Sequence, residues 1–194
     1  VYGTFYKLSM LMTIFIQAFR FAAEPLFFSQ ADKKEGKSSY IIIMNWFVYA
    51  CGAIFLFTSL FRKEIAELLI RKSEFHQHPD ALFIVPILLL ANLFLGIFYN
   101  LSIWYKLNNK TRLGALVSVI GAAITLVLLL VYIPQYGFKA AAVTTLIAYF
   151  VMTAISYFLG QKHYPIKYDV KQVLGLLTLS IGLYVFADFM SLEG

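Results

Sequence analysis

The chain has 194 residues, of which 61% are hydrophobic and only 13% charged, and its mean hydropathy is +0.77. Because soluble domains carry roughly a quarter charged residues, this composition excludes an ordinary water-soluble globule. The formal net charge of +6 is compatible with nucleic-acid binding, but nearly all of the 16 Lys and Arg residues lie between apolar runs, as juxtamembrane charges do. We therefore expect a polytopic membrane protein without a nucleic-acid partner.

Six apolar runs are long enough to cross a hydrocarbon core about 30 Å thick, which needs roughly 20 helical residues. Period-two alternation is absent from these runs, so the pattern predicts an all-α transmembrane helix bundle. The predicted spans are residues 4–29, 40–61, 81–105, 113–133, 140–160 and 170–190.

The longest connection, residues 62–80, begins with an amphipathic stretch. The i, i+3, i+4 and i+7 positions of one helix face are occupied by Ile65, Leu68, Leu69 and Lys72. Charged residues fill the opposite face, a pattern that favours a short helix lying in the membrane interface over a solvated linker.

The distribution of Lys and Arg predicts the orientation of the bundle. One set of alternate connections carries nine of them: Lys33, Lys34, Lys37, Lys106, Lys110, Arg112, Lys162, Lys167 and Lys171. The opposite set carries six: Lys7, Arg62, Lys63, Arg71, Lys72 and Lys139. Because cytoplasmic loops are enriched in Lys and Arg, we expect the N-terminus of this chain to lie outside the cell.

The first helix carries most of the polar residues predicted to lie inside the membrane. Seven residues fall within an arc of about 80° at 100° per residue: Tyr2, Tyr6, Met10, Thr13, Gln17, Arg20 and Glu24. An arginine near the helix centre costs roughly 2.5 to 3.5 kcal/mol on insertion scales, so Arg20 must face protein or a wet cavity.

Two interpretations of Arg20 are open at this point. Its guanidinium offers several hydrogen-bond donors to an anionic phosphate in a water-filled cavity. Alternatively, Arg20 pairs with Glu24 one helical turn away and balances the helix end. Pro25, directly after this pair, is expected to end or kink the helix.

The remaining polar and small residues give weaker signals. Asn92 and Tyr99 share a face of the third helix, where asparagine more commonly joins helices than binds a ligand. On the fourth helix, Gly114, Gly121 and the pair at residues 122–123 favour close packing over a site.

Metal and catalytic motifs are absent from the sequence pattern. His76 and His78 have no third ligand in view, so we predict no metal site there. The sequence has no glycine-rich nucleotide motif and no nucleophile–base set that the topology brings together. We therefore predict neither enzyme activity nor a cofactor.

Two stretches of the sequence carry a pattern found in a known family. The first is VYGTFYKL at residues 1–8, continued by FIQAFRFAAEP at residues 15–25. The second is NKT at residues 109–111, leading into a Gly/Ala-rich helix that ends YIPQYGFKAAA at residues 132–142. In both stretches the chain resembles the polysaccharide flippases of the multidrug/oligosaccharidyl-lipid/polysaccharide exporter superfamily. The second stretch departs from the family pattern at Ala140, where glycine is usual, and an Asn that is frequent in the preceding helix is replaced by Thr125.

The resemblance implies a protein of about 12 to 14 helices in two pseudo-symmetric lobes, in the bacterial inner membrane. Residues 1–160, with the interfacial segment 62–80, would be five helices of the C-terminal lobe. Residues 161–194 would be a cytoplasmic loop and an additional transmembrane helix. Both ends of the chain look cut, so we expect a piece of a longer protein.

The function implied by the resemblance is translocation of a lipid-linked oligosaccharide, a glycan on polyprenyl pyrophosphate, by alternating access. The implied partners are the N-terminal lobe and membrane lipid, and the coupling ion, Na⁺ or H⁺, is left open. The candidate cavity-lining residues are Tyr6, Lys7, Thr13, Gln17, Arg20, Glu24, Asn92 and Tyr99.

Other functions are considered beside this one. A drug/cation antiporter of the same superfamily needs a buried carboxylate, for which only Glu24 qualifies. A non-transporting scaffold and a membrane glycan polymerase are further alternatives. A polymerase is expected to have large outward loops, whereas the longest connection here, residues 62–80, has 19 residues.

Overall fold

The computed structural model describes residues 2–30, 36–69 and 79–192, which form an all-α bundle. In chain order the helices are α1 (Tyr2–Gln30), α2 (Gly36–Leu60), α3 (Arg62–Leu69), α4 (Ile84–Leu101), α5 (Ile103–Leu107), α6 (Thr111–Tyr136), α7 (Phe138–His163) and α8 (Val170–Leu192), with a 3₁₀ helix over Pro79–Phe83 before α4. Six segments of the described chain are long and apolar enough to cross a membrane, which confirms the predicted multi-pass bundle.

The predicted spans agree with these helices to within a few residues, apart from two local differences. Pro25 does not end the first helix, because α1 continues through it to Gln30. Membrane helices tolerate proline since neighbouring groups satisfy the freed backbone carbonyl. The third span is interrupted at Ser102, whose hydroxyl donates a 2.8 Å hydrogen bond to the Tyr99 carbonyl. Such local side-chain bonds compete with helical hydrogen bonding.

The fold is organised around α4. This helix packs against α1, α2 and α7, and 72% of its membrane-crossing window is buried. In contrast, α6 packs mainly on α7 and α8 mainly on α2, and only 11% of either window is buried. The core of the bundle therefore consists of α1, α2, α4 and α7, with α6 and α8 at its edges.

The two glycines predicted to permit close packing on α6 do so. A Cβ atom added to Gly121 would lie 2.2 Å from the Met152 sulfur on α7, and one added to Gly114 would lie 3.1 Å from the Tyr105 ring. The small pair at residues 122–123 is exposed.

Polar contacts join the connections at each end of the bundle. At the end where α1, α5 and α7 finish, here called the basic end, Lys37 Nζ donates a 3.1 Å hydrogen bond to the Pro165 carbonyl. At the opposite end, Arg62 forms an ion pair with Asp188 of α8. This antiparallel arrangement groups the connections into the same two sets as the Lys and Arg count.

The amphipathic stretch after α2 forms a helix, α3, as predicted. Ala66 is buried against the core, whereas Leu68 is 85% exposed and available to an apolar environment. Lys72, His76 and His78 lie outside the described residues. The placement of α3 in the membrane interface stays a prediction.

The orientation of the bundle can be measured by single-cysteine labelling. Cys51 is the sole cysteine and is buried, so a Cys51→Ala background is suitable. Lys110 and Lys139 are exposed and flank α6 at opposite ends. We expect Lys139→Cys to react with an impermeant maleimide in intact cells, and Lys110→Cys to react only in inverted vesicles. The reverse pattern would place the N-terminus of the chain in the cytoplasm.

Candidate functional site

The seven residues of α1 that share one arc of the helix are here called the polar stripe, and they lie beside the core and not within it. The buried face of α1 is apolar and includes Phe5, Leu8, Met12 and Ile16. The half-buried stripe residues are Tyr2, Tyr6, Thr13, Gln17, Arg20 and Glu24. Because the apolar face satisfies the packing against α2 and α4, the stripe is left along an open side of the bundle.

A cavity of about 280 Å³ lies between α1, α4, α5 and α6, here called the arginine cavity. Its lining residues are Arg20, Glu24, Phe98, Tyr99, Ser102, Tyr105, Lys106, Thr111, Gly114 and Ser118. Gly114, predicted to serve packing and not a site, therefore both packs against Tyr105 and lines the cavity. A neighbouring cavity of about 20 Å³ shares Arg20, Glu24 and Tyr99 and continues toward the core. The combined volume approaches the lower limit of roughly 300 Å³ typical of small-molecule sites.

Arg20 is only partly satisfied by the described residues. Its Cζ atom lies 5.0 Å from the centroid of the Tyr99 ring and 5.8 Å from that of Phe21, both within cation–π range. Its Nε atom is buried and has no hydrogen-bond partner in the described part of the chain. A buried donor without an acceptor costs about 1 to 3 kcal/mol, so the site is suited to an incoming acceptor.

Glu24 pairs with a residue other than Arg20. Its carboxylate accepts a hydrogen bond from Lys106 Nζ on α5, and Arg20 forms no ion pair with any described residue. The Glu24 and Lys106 side chains are 32% and 45% exposed, and ion pairs that exposed add little stability. The arginine cavity therefore holds two cations against one carboxylate, with the Arg20 charge uncompensated.

Tyrosines from three helices lie along the open side of the bundle, next to the stripe. The Tyr2 and Tyr6 rings of α1 have centroids 5.9 Å apart. Tyr99 on α4 and Tyr149 on α7 are half-buried and pack against the same buried cluster of Phe98, Val117 and Met152. Together these four residues form what we call the tyrosine wall.

Tyr149 and Lys106 were missed as site residues by the sequence analysis. Tyr149 lies in an apolar run of α7, and nothing in its local spacing marks it as a site residue. Lys106 was counted only as a loop charge. Its approach to Glu24 across 82 residues depends on the fold.

The remaining predicted site residues lie away from the arginine cavity. Asn92 is 2% exposed, and its amide donates a 3.4 Å hydrogen bond to the Ser9 carbonyl, which joins α4 to α1. The Thr13 hydroxyl bonds the same carbonyl at 3.5 Å. Gln17 is half-buried and Lys7 is exposed, and neither lines the arginine cavity. The structure thus gathers Arg20, Glu24 and Tyr99 at the cavity, with Tyr6 in the tyrosine wall.

Comparison with protein-family models, with curated proteins and with solved structures finds no match for this chain. Within residues 2–30, 36–69 and 79–192, no group of three His, Cys, Asp or Glu side chains is placed to hold a metal ion. The function is therefore inferred from the arginine cavity and the tyrosine wall.

Proposed function

We propose that the chain forms one lobe of a membrane transporter that binds lipid-linked oligosaccharides through their phosphates and translocates them by alternating access. The observation that carries this proposal is Arg20, an arginine within a membrane-crossing helix whose buried Nε lacks a partner among the described residues. A charge in that position is costly, and charged residues kept inside membrane helices mark substrate or ion pathways.

Phosphate chemistry suits the arginine cavity. A guanidinium binds phosphate oxygens through two parallel hydrogen bonds, which an ammonium group cannot do. Lys106 borders the same cavity and is held by Glu24. An entering pyrophosphate carries more negative charge than one carboxylate, so it competes with Glu24 for Lys106. It also accepts a hydrogen bond from Arg20 Nε, which lacks a partner among the described residues.

The tyrosine wall suits the glycan part of the substrate. Tyr6 and Tyr99 present apolar ring faces together with hydroxyl groups, and Tyr149 extends the same surface onto α7. An amphipathic ring with a polar tip matches a sugar, which combines an apolar ring face with a rim of hydroxyls. The glycan would then lie along α1 while its pyrophosphate occupies the arginine cavity.

The resemblance to polysaccharide flippases supplies the rest of the proposal. Residues 1–160 would be one lobe, and residues 161–194 the added loop and helix. A second lobe would cover the open side along the α1 stripe. In the bacterial inner membrane, with the basic end in the cytoplasm, substrate would enter near Lys106 and leave at the opposite end.

Binding of a short polyprenyl pyrophosphate to the purified protein tests this function. We expect it to bind at least tenfold more tightly than the matching polyprenol, because only the pyrophosphate offers acceptors to Arg20. Equal affinities would reject the proposal. Transfer of a fluorescent lipid-linked oligosaccharide across liposomes, measured by quenching, tests translocation by the protein together with its second lobe.

A cation antiporter is the second candidate function, because Glu24 is the sole carboxylate among the residues that line the arginine cavity. The variant Glu24→Gln separates the two. For a flippase lobe, loss of the carboxylate frees Lys106, and we expect pyrophosphate binding to strengthen by roughly threefold at low salt. For an antiporter, the same variant is expected to abolish cation-coupled efflux.

Asp188→Asn is the matched control for Glu24→Gln. Asp188 is also a carboxylate in an ion pair, but it lies at the opposite end of the bundle. Weaker pyrophosphate binding in Glu24→Gln, with the control unchanged, would contradict the flippase assignment of Glu24.

A further inference from the structure

A second, larger cavity lies on the other side of the bundle, between α4 and α7 on one flank and α2 and α8 on the other. Its volume is about 350 Å³. Apolar side chains dominate its lining, among them Ile97, Ala154, Phe158 and Leu174. The hydroxyl of Thr153 donates to the Phe94 carbonyl at 2.8 Å and so does not offer a free polar group. We call this cavity the α7–α8 groove.

The groove exists because α8 packs along α2 and not along α7. Close approach on the α2 side is permitted by Gly52, where an added Cβ atom would lie 3.3 Å from Leu176. At membrane depth an apolar groove of this size suits a hydrocarbon chain. Lipid tails are as apolar as leucine, so the groove by itself does not select one lipid over another.

A preference for one lipid headgroup over another requires charged groups, and these lie at the basic end of the groove. Tyr168 and Val170 line the groove, and the exposed Lys167 and Lys171 flank these two residues in sequence. Lys162, in the last turn of α7, is exposed as well.

Lys37 is fixed at the same loop by its hydrogen bond to Pro165 and its position 4.6 Å from the Tyr164 ring centroid. Among the described residues 162–172, the acid beside these lysines is Asp169, whose carboxylate accepts a hydrogen bond from the Gln172 backbone amide. Basic pockets between membrane helices on the cytoplasmic side bind anionic lipid headgroups.

We propose that the α7–α8 groove is a binding site for an anionic phospholipid, with an acyl chain in the groove and the phosphate beside Lys167 and Lys171. The acyl chain fixes the position of the bound lipid in the groove, and the two lysines give the site its preference for a negatively charged headgroup. This site is separate from the arginine cavity and does not depend on the transport function proposed above.

Native mass spectrometry of the purified chain, with phosphatidylglycerol or phosphatidylcholine added at equal concentrations, measures this preference. We expect one phosphatidylglycerol to be retained in preference to phosphatidylcholine. The double variant Lys167→Gln/Lys171→Gln should lower phosphatidylglycerol affinity by roughly tenfold to thirtyfold, since each lysine near an anionic lipid surface raises the affinity by roughly three- to fivefold. Its matched control is Lys63→Gln/Lys139→Gln, two exposed lysines at the opposite end.

A second pair of variants tests the location of the acyl chain. Ala154→Trp fills the groove and is expected to displace the bound lipid, whereas Ala123→Trp on the exposed face of α6 should leave it in place. Equal retention of the two phospholipids, equal losses in the two lysine pairs, or unchanged binding in Ala154→Trp would each overturn the proposal. Tighter binding of a polyprenyl phosphate than of phosphatidylglycerol would also overturn it, by assigning the groove to the transport substrate.

Discussion

Replacing Arg20 by glutamine is expected to weaken polyprenyl pyrophosphate binding by about 100-fold and to abolish glycan export by the full-length protein. A charge-assisted, bidentate phosphate contact is worth roughly 3 kcal/mol, which corresponds to that factor. The variant keeps a polar side chain but loses the charge and the forked geometry. Binding to the purified protein and surface polysaccharide in a complemented strain are the two measurements.

The same variant should leave the stability of the protein unchanged or slightly raised. Arg20 has a buried Nε without a partner among the described residues and forms no ion pair with them. The described contacts that the variant loses are the cation–π contacts with Tyr99 and Phe21, and their loss is offset by removal of the unpaired buried donor. Arg62→Gln is the control, because Arg62 is also an arginine but is paired with Asp188 at the far end. If Arg20→Gln lowers the melting temperature while binding and export persist, Arg20 is a packing residue and the proposed phosphate role is wrong.

Replacing Gly96 by valine is expected to destabilise the bundle by about 3 kcal/mol. A Cβ atom added at Gly96 would lie 2.3 Å from the Phe47 ring and 3.2 Å from an Ile16 side-chain carbon. The Phe47 ring cannot move aside easily, because it is fully buried and packs on Phe19, with ring centroids 4.8 Å apart. The crossing of α1, α2 and α4 therefore depends on the absence of a side chain at this position.

The buried Cys51 provides the measurement for this prediction. A thiol-reactive fluorophore reaches this sole cysteine only when the core opens, so its signal on heating reports unfolding. We expect Gly96→Val to lower the apparent Tm by about 10 °C. Gly175→Val is the matched control, because an added Cβ atom on this α8 glycine meets nothing within 4 Å. An equal shift in both variants would show that the close approach at Gly96 does not govern stability.

Hydropathy was sufficient to predict the spans but not their positions in the bundle. The window of α6 has a mean hydropathy of 2.8 and is 11% buried, whereas that of α4 has 2.6 and is 72% buried. In water such apolar helices would both be buried. In a membrane, lipid and protein interior are equally apolar, so composition does not distinguish a central helix from a peripheral one.

The candidate site was predictable to the extent that it is local. Arg20, Glu24 and the stripe on α1 follow from helical spacing within one segment. The actual pairing of these charges does not follow from local spacing, because Glu24 pairs with Lys106 on another helix and Arg20 lies over the Tyr99 ring. Asn92 was placed among cavity candidates, and its bond to Ser9 depends on how α1 and α4 cross. Contacts between distant segments carry no signature in local spacing.

The central position of α4 has a consequence for how the chain enters the membrane. Synthesis proceeds from the N-terminus, so α1 has been made before α4 leaves the ribosome, and the Ser9 carbonyl that accepts from Asn92 belongs to a segment that already exists. The Asn100 amide bonds Gly96 of its own helix at 3.1 Å and needs no later partner. Lipid can therefore cover the remaining side of α4 until α7 is made, and neither asparagine amide of α4 waits in hydrocarbon for a segment not yet translated.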